Sequence, residues 1–265
     1  MCKECGCGLG GDKVEIGGHA HKHDHAHDHP RHAAHEHGHS PEHGSRTVNL
    51  NRSLLEKNDR LAERNRGFFR AKKLLVLNVV SAPGSGKTTF IRETAVRLAG
   101  KLRVGVIVGD LATDNDAAQL REARIPVVQI TTGTVCHLDA GMVSKAAAQL
   151  NLDKLDVLVI ENVGNLVCPA DYDLGEDLRV VLLSTTEGED KPLKYPPMFH
   201  SARVAIVTKS DLAVAAGFNR KLALANLKRV SHHAEIFELS AKTGDGMKAW
   251  LDFVAKQRTA QAGSF

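Results

Sequence analysis

At 265 residues, 42% of them apolar, the chain suits one large domain or one domain with an appendage. Its net charge of +4 comes with no aromatic stacking platform, which argues against a nucleic-acid partner. No stretch approaches the ~18 consecutive apolar residues of a membrane span, and the polar, Cys-rich start has no signal-peptide pattern, so the chain is expected in the cytoplasm, away from membranes.

Residues 1–46 contain almost no Leu, Ile, Val or Phe, and their five Lys/Arg against seven Asp/Glu leave them at −2. Such a segment cannot bury enough surface to offset its ordering entropy and reads as a disordered arm. It opens "MCKECGCG", with Cys2, Cys5 and Cys7. Cys-x-x-Cys lets two thiolates converge on one ion, Cys7 adds a third, and Gly6 and Gly8 let the backbone curl. Planar sulfur-nitrogen ligation would suit Ni(II) and tetrahedral ligation zinc; the spacing does not choose between them. Solvated thiols on a free end are the plainer reading. The odd total of five cysteines favours metal binding over a disulfide framework.

Eleven of the fifteen histidines follow: His19, His21, His23, His25, His27, His29, His32, His35, His37, His39 and His43. Neutral imidazole binds Zn, Ni or Cu, and Asp24, Asp28, Glu36 and Glu42 add oxygen ligands. A low-affinity metal reservoir is expected, against a bland spacer or an expression tag; tags are usually unbroken, and this tract is interrupted and acidic. Residues 47–73 predict a helical connector, with Leu50, Leu54, Leu55 and Leu61 along one stripe and no chemistry assigned.

The compact domain is expected over residues 74–258, with a frayed end at 259–265. "LLVLNVV" (74–80) predicts a buried strand running into "SAPGSGKTT" (81–89) and a helix. This is a P-loop with Ser81 where the first glycine is usual. Pro83, Gly84, Ser85, Gly86 and Thr89 form the cradle. Lys87 reaches the β and γ phosphates, and Thr88 offers a hydroxyl to Mg²⁺. Further strands are predicted at 104–109, 126–130, 155–161, 179–184, 203–208 and 235–240, alternating with helices. The fold class is therefore α/β, a P-loop NTPase with a mostly parallel sheet and helices on both faces, ligands gathering at the carboxyl ends of the strands.

Asp110 ends the second strand and is a magnesium candidate or a helix cap. Glu161 ends another and opens Glu161-x-x-Gly164, which reads as the Mg²⁺ and γ-phosphate sensing element; Lys87, Thr88, Glu161 and Gly164 are the catalytic candidates. "TKSD" places Lys209 along the base plane and Asp211 against the two guanine donors, with Thr208 where Asn is common. Ser240, Ala241 and Lys242 complete the base-binding set. Four such motifs in order, each at a strand end, indicate GTP over ATP. No general base, arginine finger or water-orienting Gln stands out, so slow turnover is expected.

Cys136, His137 and Cys168 lie in the same domain. Each alone reads more often as a buried small residue than as a ligand. Cys168, however, follows Gly164 by four residues, at most ~14 Å of extended chain, so a phosphate-sensing loop carries a thiol. Three ligands would leave an open position or one filled by a second subunit. "TEGEDKPLKYP" (186–196) has two readings of equal weight, a role near the nucleotide or dimer partner and a Pro-stiffened surface loop. His200, His232 and His233 read as ordinary surface residues.

"MCKECGCG", "SAPGSGKTT", "GDLATDNDA", "TGTVCHLDA", "ENVGNLVCPADYDLGE" and "TEGEDKPLKYP" together resemble the HypB family of hydrogenase nickel-incorporation GTPases, over nearly the whole chain. The resemblance implies a SIMIBI-class G domain that forms a GTP-dependent homodimer. With a HypA-type nickel accessory protein, it would deliver Ni²⁺ to the hydrogenase large-subunit precursor. It implies a tight nickel site at Cys2, Cys5 and Cys7, and a nickel or zinc site (Ni²⁺ or Zn²⁺) at Cys136, His137 and Cys168 on the dimer interface. It also implies nickel storage by the His tract, and Asp110, with Asp114 or Asp116, near Mg²⁺ and the partner subunit. The competing functions are a metal store whose G domain only controls dimerisation and a P-loop ATPase or small-molecule kinase. Asp211 and Ser240–Lys242 argue against the latter.

Overall fold

The computed structural model describes residues 42–111 and 114–262. The cysteines at 2, 5 and 7 and the histidines from 19 to 39 lie outside them, while His43 belongs to the backbone of the first helix. Residues 54–265 cluster as one compact unit. The account below concerns that unit.

Seven strands are present among the described residues: β1 Leu75–Ser81, β2 Val104–Asp110, β3 Val127–Thr131, β4 Val157–Glu161, β5 Leu178–Ser184, β6 Val204–Thr208 and β7 Glu235–Glu238. All pair in parallel, in the order β3-β2-β4-β1-β5-β6-β7. The helices are α1 Glu42–Ala71, α2 Lys87–Leu98, α3 Asn115–Glu122, α4 Ala140–Ala147, α5 Lys191–Lys194, α6 Pro196–Ser201, α7 Arg220–Val230 and α8 Met247–Ala262. The predicted fold class is the one observed. The five inner strands are buried on both faces and read as continuous apolar runs, which is why a sequence pattern could find them; the edge strands β3 and β7 are only half-buried.

The two faces follow from strand alternation. Leu75, Leu77 and Val79 of β1 point into a core with Phe90 and Ile91 of α2, Leu120 of α3 and Trp250 of α8. Val76, between them, joins Phe69 of α1 and Val143 of α4 on the other face. Val181 and Leu183 of β5 pack with Met198 and Phe199 of α6 and Leu227 of α7.

Two expected features differ. The helix predicted at 47–73 runs over Glu42–Ala71, and α8 continues to Ala262, past residue 258, through Ala- and Gln-rich sequence that favours helix. The buried stripe of α1 is not the leucine series, for Leu54 is exposed. It is Asn58, Ala62, Asn65 and Phe69, at spacings of four, three and four. The asparagines are buried because they are satisfied. Asn58 accepts from the Ala140 amide at 2.9 Å and donates to Asp173 O at 2.8 Å. Asn65 donates to Ala140 O at 2.8 Å and to Leu174 O at 3.1 Å. The helix is thus bonded to the start of α4 and to the loop after β4.

Candidate nucleotide and metal site

The carboxyl ends of β1, β2, β4 and β6 bring the phosphate motifs together. β1 ends at Ser81, the loop turns through Gly84 and Gly86 at φ +72° and +90°, and α2 begins at Lys87. Those left-handed angles explain the glycines. Ser81 is fully buried and acts as a hub: its hydroxyl donates to Ala82 O at 2.8 Å, accepts from Lys87 Nζ at 3.2 Å and accepts from the Ser85 hydroxyl. Pro83 and Gly84 are exposed at the tip, and Thr89 is half-buried on α2.

β1 and β4 pair with Val79 opposite Glu161, which delivers the carboxylate beside the P-loop. Thr88 Oγ1 donates to Glu161 Oε1 at 2.7 Å. Glu161 Oε2 is buried with no hydrogen-bond partner. Burial drives this carboxyl up to about 7, against the pull of Lys87 and the Thr88 hydroxyl. Burial likewise lowers Lys87, opposed by Glu161, Asp116, Glu187 and Asp110. The site holds its charges close together in a poorly solvated place, where each is costly without a counter-ion.

Asp110 ends β2, and its Oδ1 accepts from the Leu111 amide at 2.7 Å. Of the two further aspartates of that loop, Asp114 is turned outward to Arg121 at 2.6 Å, both exposed, while Asp116 shares the electrostatic field of Lys87 and Glu161. Gly164 lies against the P-loop: a Cβ there would stand 3.1 Å from Pro83 Cα.

The base-side motifs also converge. The buried Thr208 hydroxyl donates to Ser85 O at 3.0 Å, so the residue standing where Asn is common ties β6 to the P-loop. Lys209, at φ +57°, donates from Nζ to Gly84 O at 2.7 Å. The Ser210 amide donates to Leu239 O at 3.2 Å, setting the turn that bears the exposed Asp211 beside Ser240–Lys242. Ser240 is fully buried, with its Oγ accepting from the Thr243 amide at 3.2 Å; Ala241 is half-buried and Lys242 exposed.

Sequence reading left Glu187 undecided. Its carboxylate oxygens are buried without hydrogen-bond partners, and burial raises the carboxyl against Lys191, Lys209 and Lys87. The Thr185 hydroxyl holds this loop to Lys209 O at 2.7 Å. Glu187 therefore faces the nucleotide side, which no periodicity could have revealed.

The metal candidates come from loops after β3 and β4, the neighbours of β2. The Cys136 and Cys168 sulfurs lie 2.8 Å apart, and the ligand atoms of Cys136, His137 and Cys168 all fall within 4.8 Å of one another. His137 is buried and stacks on Tyr172 at 3.9 Å between ring centroids. Two thiols and an imidazole at this range suit a Zn(II)- or Ni(II)-class ion with a position left open. The cluster is bonded to the phosphate motifs. Asn162, next to Glu161, accepts from the Leu138 amide at 3.3 Å and donates to Asn78 Oδ1 of β1 at 3.3 Å. Asn78 in turn donates to Glu176 at 3.0 Å. Glu176 is paired with Arg179 at 3.1 Å, which donates to Ala170 O and Tyr172 O in the Cys168 loop.

Residues 75–238 match the family described as CobW/HypB/UreG, nucleotide-binding domain. The hydrogenase maturation factor HypB of Escherichia coli K12 is 50% identical over 215 residues, covering 81% of this chain and 74% of that protein. The chain belongs to the HypB family. A probable HypB maturation factor of Methanocaldococcus jannaschii is 39% identical, covering 79% of this chain and 95% of its own. The crystal structure of Helicobacter pylori HypB in complex with nickel superposes at a TM-score of 0.74 with 38% identity, covering 77% of this chain and 96% of that one. HypB membership makes residues 75–238 a nucleotide-binding domain. Among the described residues no helix is long and apolar enough to cross a membrane.

Proposed function

We propose that the protein is a GTP-hydrolysing nickel metallochaperone for hydrogenase maturation, in which the state of the nucleotide governs the hold on a nickel ion at Cys136, His137 and Cys168. The observation that carries this reading is the bonded path between the two sites. Gly164 abuts Pro83 of the P-loop, Cys168 follows it on the same loop, and Asn162 links Glu161's strand to the Cys136–Leu138 loop. The nickel complex of the Helicobacter relative supports the choice of cargo.

In this reading the backbone amides of Gly84–Thr88 and the Lys87 ammonium hold the β and γ phosphates. Asp211 and Lys209 read the guanine, and Ser240–Lys242 close over it. The fold family implies a magnesium ion, and the donor set fits one, since a buried carboxylate oxygen of Glu161 lacks any partner beside the Thr88 hydroxyl. Thr88 and Glu161, with Asp110 nearby, would hold it, and it would supply charge neutralisation at the phosphates. Loss of the γ-phosphate removes the group to which the Gly164 amide is assigned. The Cys168 segment is then free to move, and two soft ligands move relative to His137. The partners proposed are a second copy of the chain, bound with GTP, a HypA-type accessory protein and the hydrogenase large-subunit precursor. The Cys2, Cys5 and Cys7 site and the histidine tract would supply and store the metal; zinc is the competing ion at both cysteine sites.

The test is nickel binding to the full-length protein with a GTP analogue or GDP, beside a Cys136→Ala/Cys168→Ala variant. A nucleotide-dependent affinity or stoichiometry, lost in the variant, is the expected result. Nickel binding indifferent to nucleotide in both proteins would overturn the coupling and leave metal storage as the better account.

A further inference from the structure

His200, His232 and His233 are separated in sequence and sit at the far end of the sheet from the nucleotide. His200 is the penultimate residue of α6, which leads into the start of β6. His232 and His233 form the turn between α7 and the start of β7. Their rings meet. His200 and His233 are 5.3 Å apart between centroids, His232 and His233 5.3 Å, and His200 and His232 6.4 Å. All three are exposed, so the triangle opens to solvent.

Three features separate this triangle from a chance meeting of surface side chains. The first is its size. Imidazoles bound to one tetrahedral ion through N–metal bonds of ~2.0–2.1 Å place their ring centroids about 5 Å apart. Two edges of the triangle have that length and the third exceeds it by about an ångström; the ring nitrogens do not yet converge within 4.8 Å as the ligand atoms of the cysteine cluster do, so taking an ion requires the exposed side chains to turn between rotamers. The second is the tautomer of His200. Its Nδ1 lies 3.2 Å from Val230 O, and a carbonyl only accepts, so Nδ1 carries the proton. In the neutral ring the lone pair then belongs to Nε2. A ligating histidine that gives its other N–H to a backbone carbonyl is oriented by the same device in metal sites generally. The third is the scaffold. Buried Ser231, next to His232, donates from Oγ to Phe199 O at 2.6 Å, and its amide donates to Leu227 O at 2.7 Å. The first bond ties the α7–β7 turn to the end of α6, and the second anchors the same turn to α7.

We propose that His200, His232 and His233 form a third metal site, taking a borderline divalent transition ion, Zn(II), Ni(II) or Cu(II), through three imidazole nitrogens with water completing the shell. It is separate from the cysteine cluster, at the amino ends of β6 and β7 instead of the carboxyl ends of β3 and β4. It does not depend on the nickel reading of that cluster.

Peptide-resolved diethyl pyrocarbonate labelling of the full-length protein tests it, with Zn(II) raised in steps and mass spectrometry reading each histidine. The labelling rate of all three should fall together, roughly tenfold at a Zn(II) concentration ten times the dissociation constant. In His200→Ala the protection of His232 and His233 should be lost, and in His232→Ala that of His200. Thermal unfolding of both variants shows that the fold is kept, and Cys136, His137 and Cys168 are untouched in both. Labelling that Zn(II) leaves unchanged overturns the site. So does protection of His232 and His233 that survives in His200→Ala, which would mark a two-residue surface chelate.

Discussion

Thr88 and Glu161, 73 positions apart in sequence, share a 2.7 Å hydrogen bond, and the other carboxylate oxygen of Glu161 is buried with nothing to bond. The carboxyl's rise to about 7 has burial as its main cause. An acid whose folded pKa lies above its unfolded value holds its proton in the native state while the unfolded chain releases it. The unfolded state then binds fewer protons between roughly pH 4.5 and 7, and stability falls as pH rises through that window. The nucleotide-free protein should lose on the order of 3 kcal/mol there, and Glu161→Gln should lose far less. Urea unfolding at pH 5 and pH 7.5 decides it; the same pH slope in both proteins would sink the assignment.

A side chain at Gly164 would crowd the P-loop. A methyl group 3.1 Å from Pro83 Cα meets backbone, which cannot swing aside as a flexible side chain does. Gly164→Ala should push the loop off the P-loop tip and weaken binding of a GTP analogue about tenfold, the cost of a modest overpacking strain of about 1–2 kcal/mol. Binding calorimetry reads the change. GDP affinity should be affected less, because Gly164 is assigned to the γ-phosphate.

Thr208 bonds Ser85 O from a buried position. Thr208→Val keeps the shape and removes the donor, leaving a buried carbonyl unsatisfied. The expected cost is about 1–3 kcal/mol in unfolding free energy, with weaker binding of all guanine nucleotides. Restoring a donor with Thr208→Ser should recover most of both. A Val variant as stable as the parent would show that Ser85 O finds another partner.

Asn162 is the joint between the nucleotide and metal loops, bonded to the Leu138 amide and to Asn78. Asn162→Ala should leave Cys136, His137 and Cys168 able to take nickel, yet abolish the difference between GTP-analogue and GDP states. Nickel titration in the two states measures this directly. An unchanged nucleotide response would move the coupling onto the Gly164–Cys168 segment alone.

Much of this was legible in the sequence, for identifiable reasons. The five inner strands announced themselves because strands of a parallel sheet buried on both faces need long apolar runs, and the half-buried edge strands β3 and β7 followed from the alternation with helices. The P-loop, Glu161-x-x-Gly164 and the TKSD turn were visible because backbone conformation and phosphate chemistry admit few residues at those positions. The partnership of Cys136, His137 and Cys168 was implied by the family resemblance, while the short tether between Gly164 and Cys168 put only one thiol on the phosphate-sensing loop. Tertiary structure decided what depends on distance between remote segments. It turned the buried face of α1 from leucines to Asn58 and Asn65, because amides can be buried when facing loops satisfy them. It sent Asp114 to Arg121 and Asp116 toward Lys87, and it brought Glu187 to the nucleotide side. It also gathered three scattered histidines into one triangle. Local sequence carries the periodicity that makes an element and the residue types a turn requires; which charged or ligating side chains end up neighbours is set by how β3, β4, β6 and β7 are ordered in the sheet.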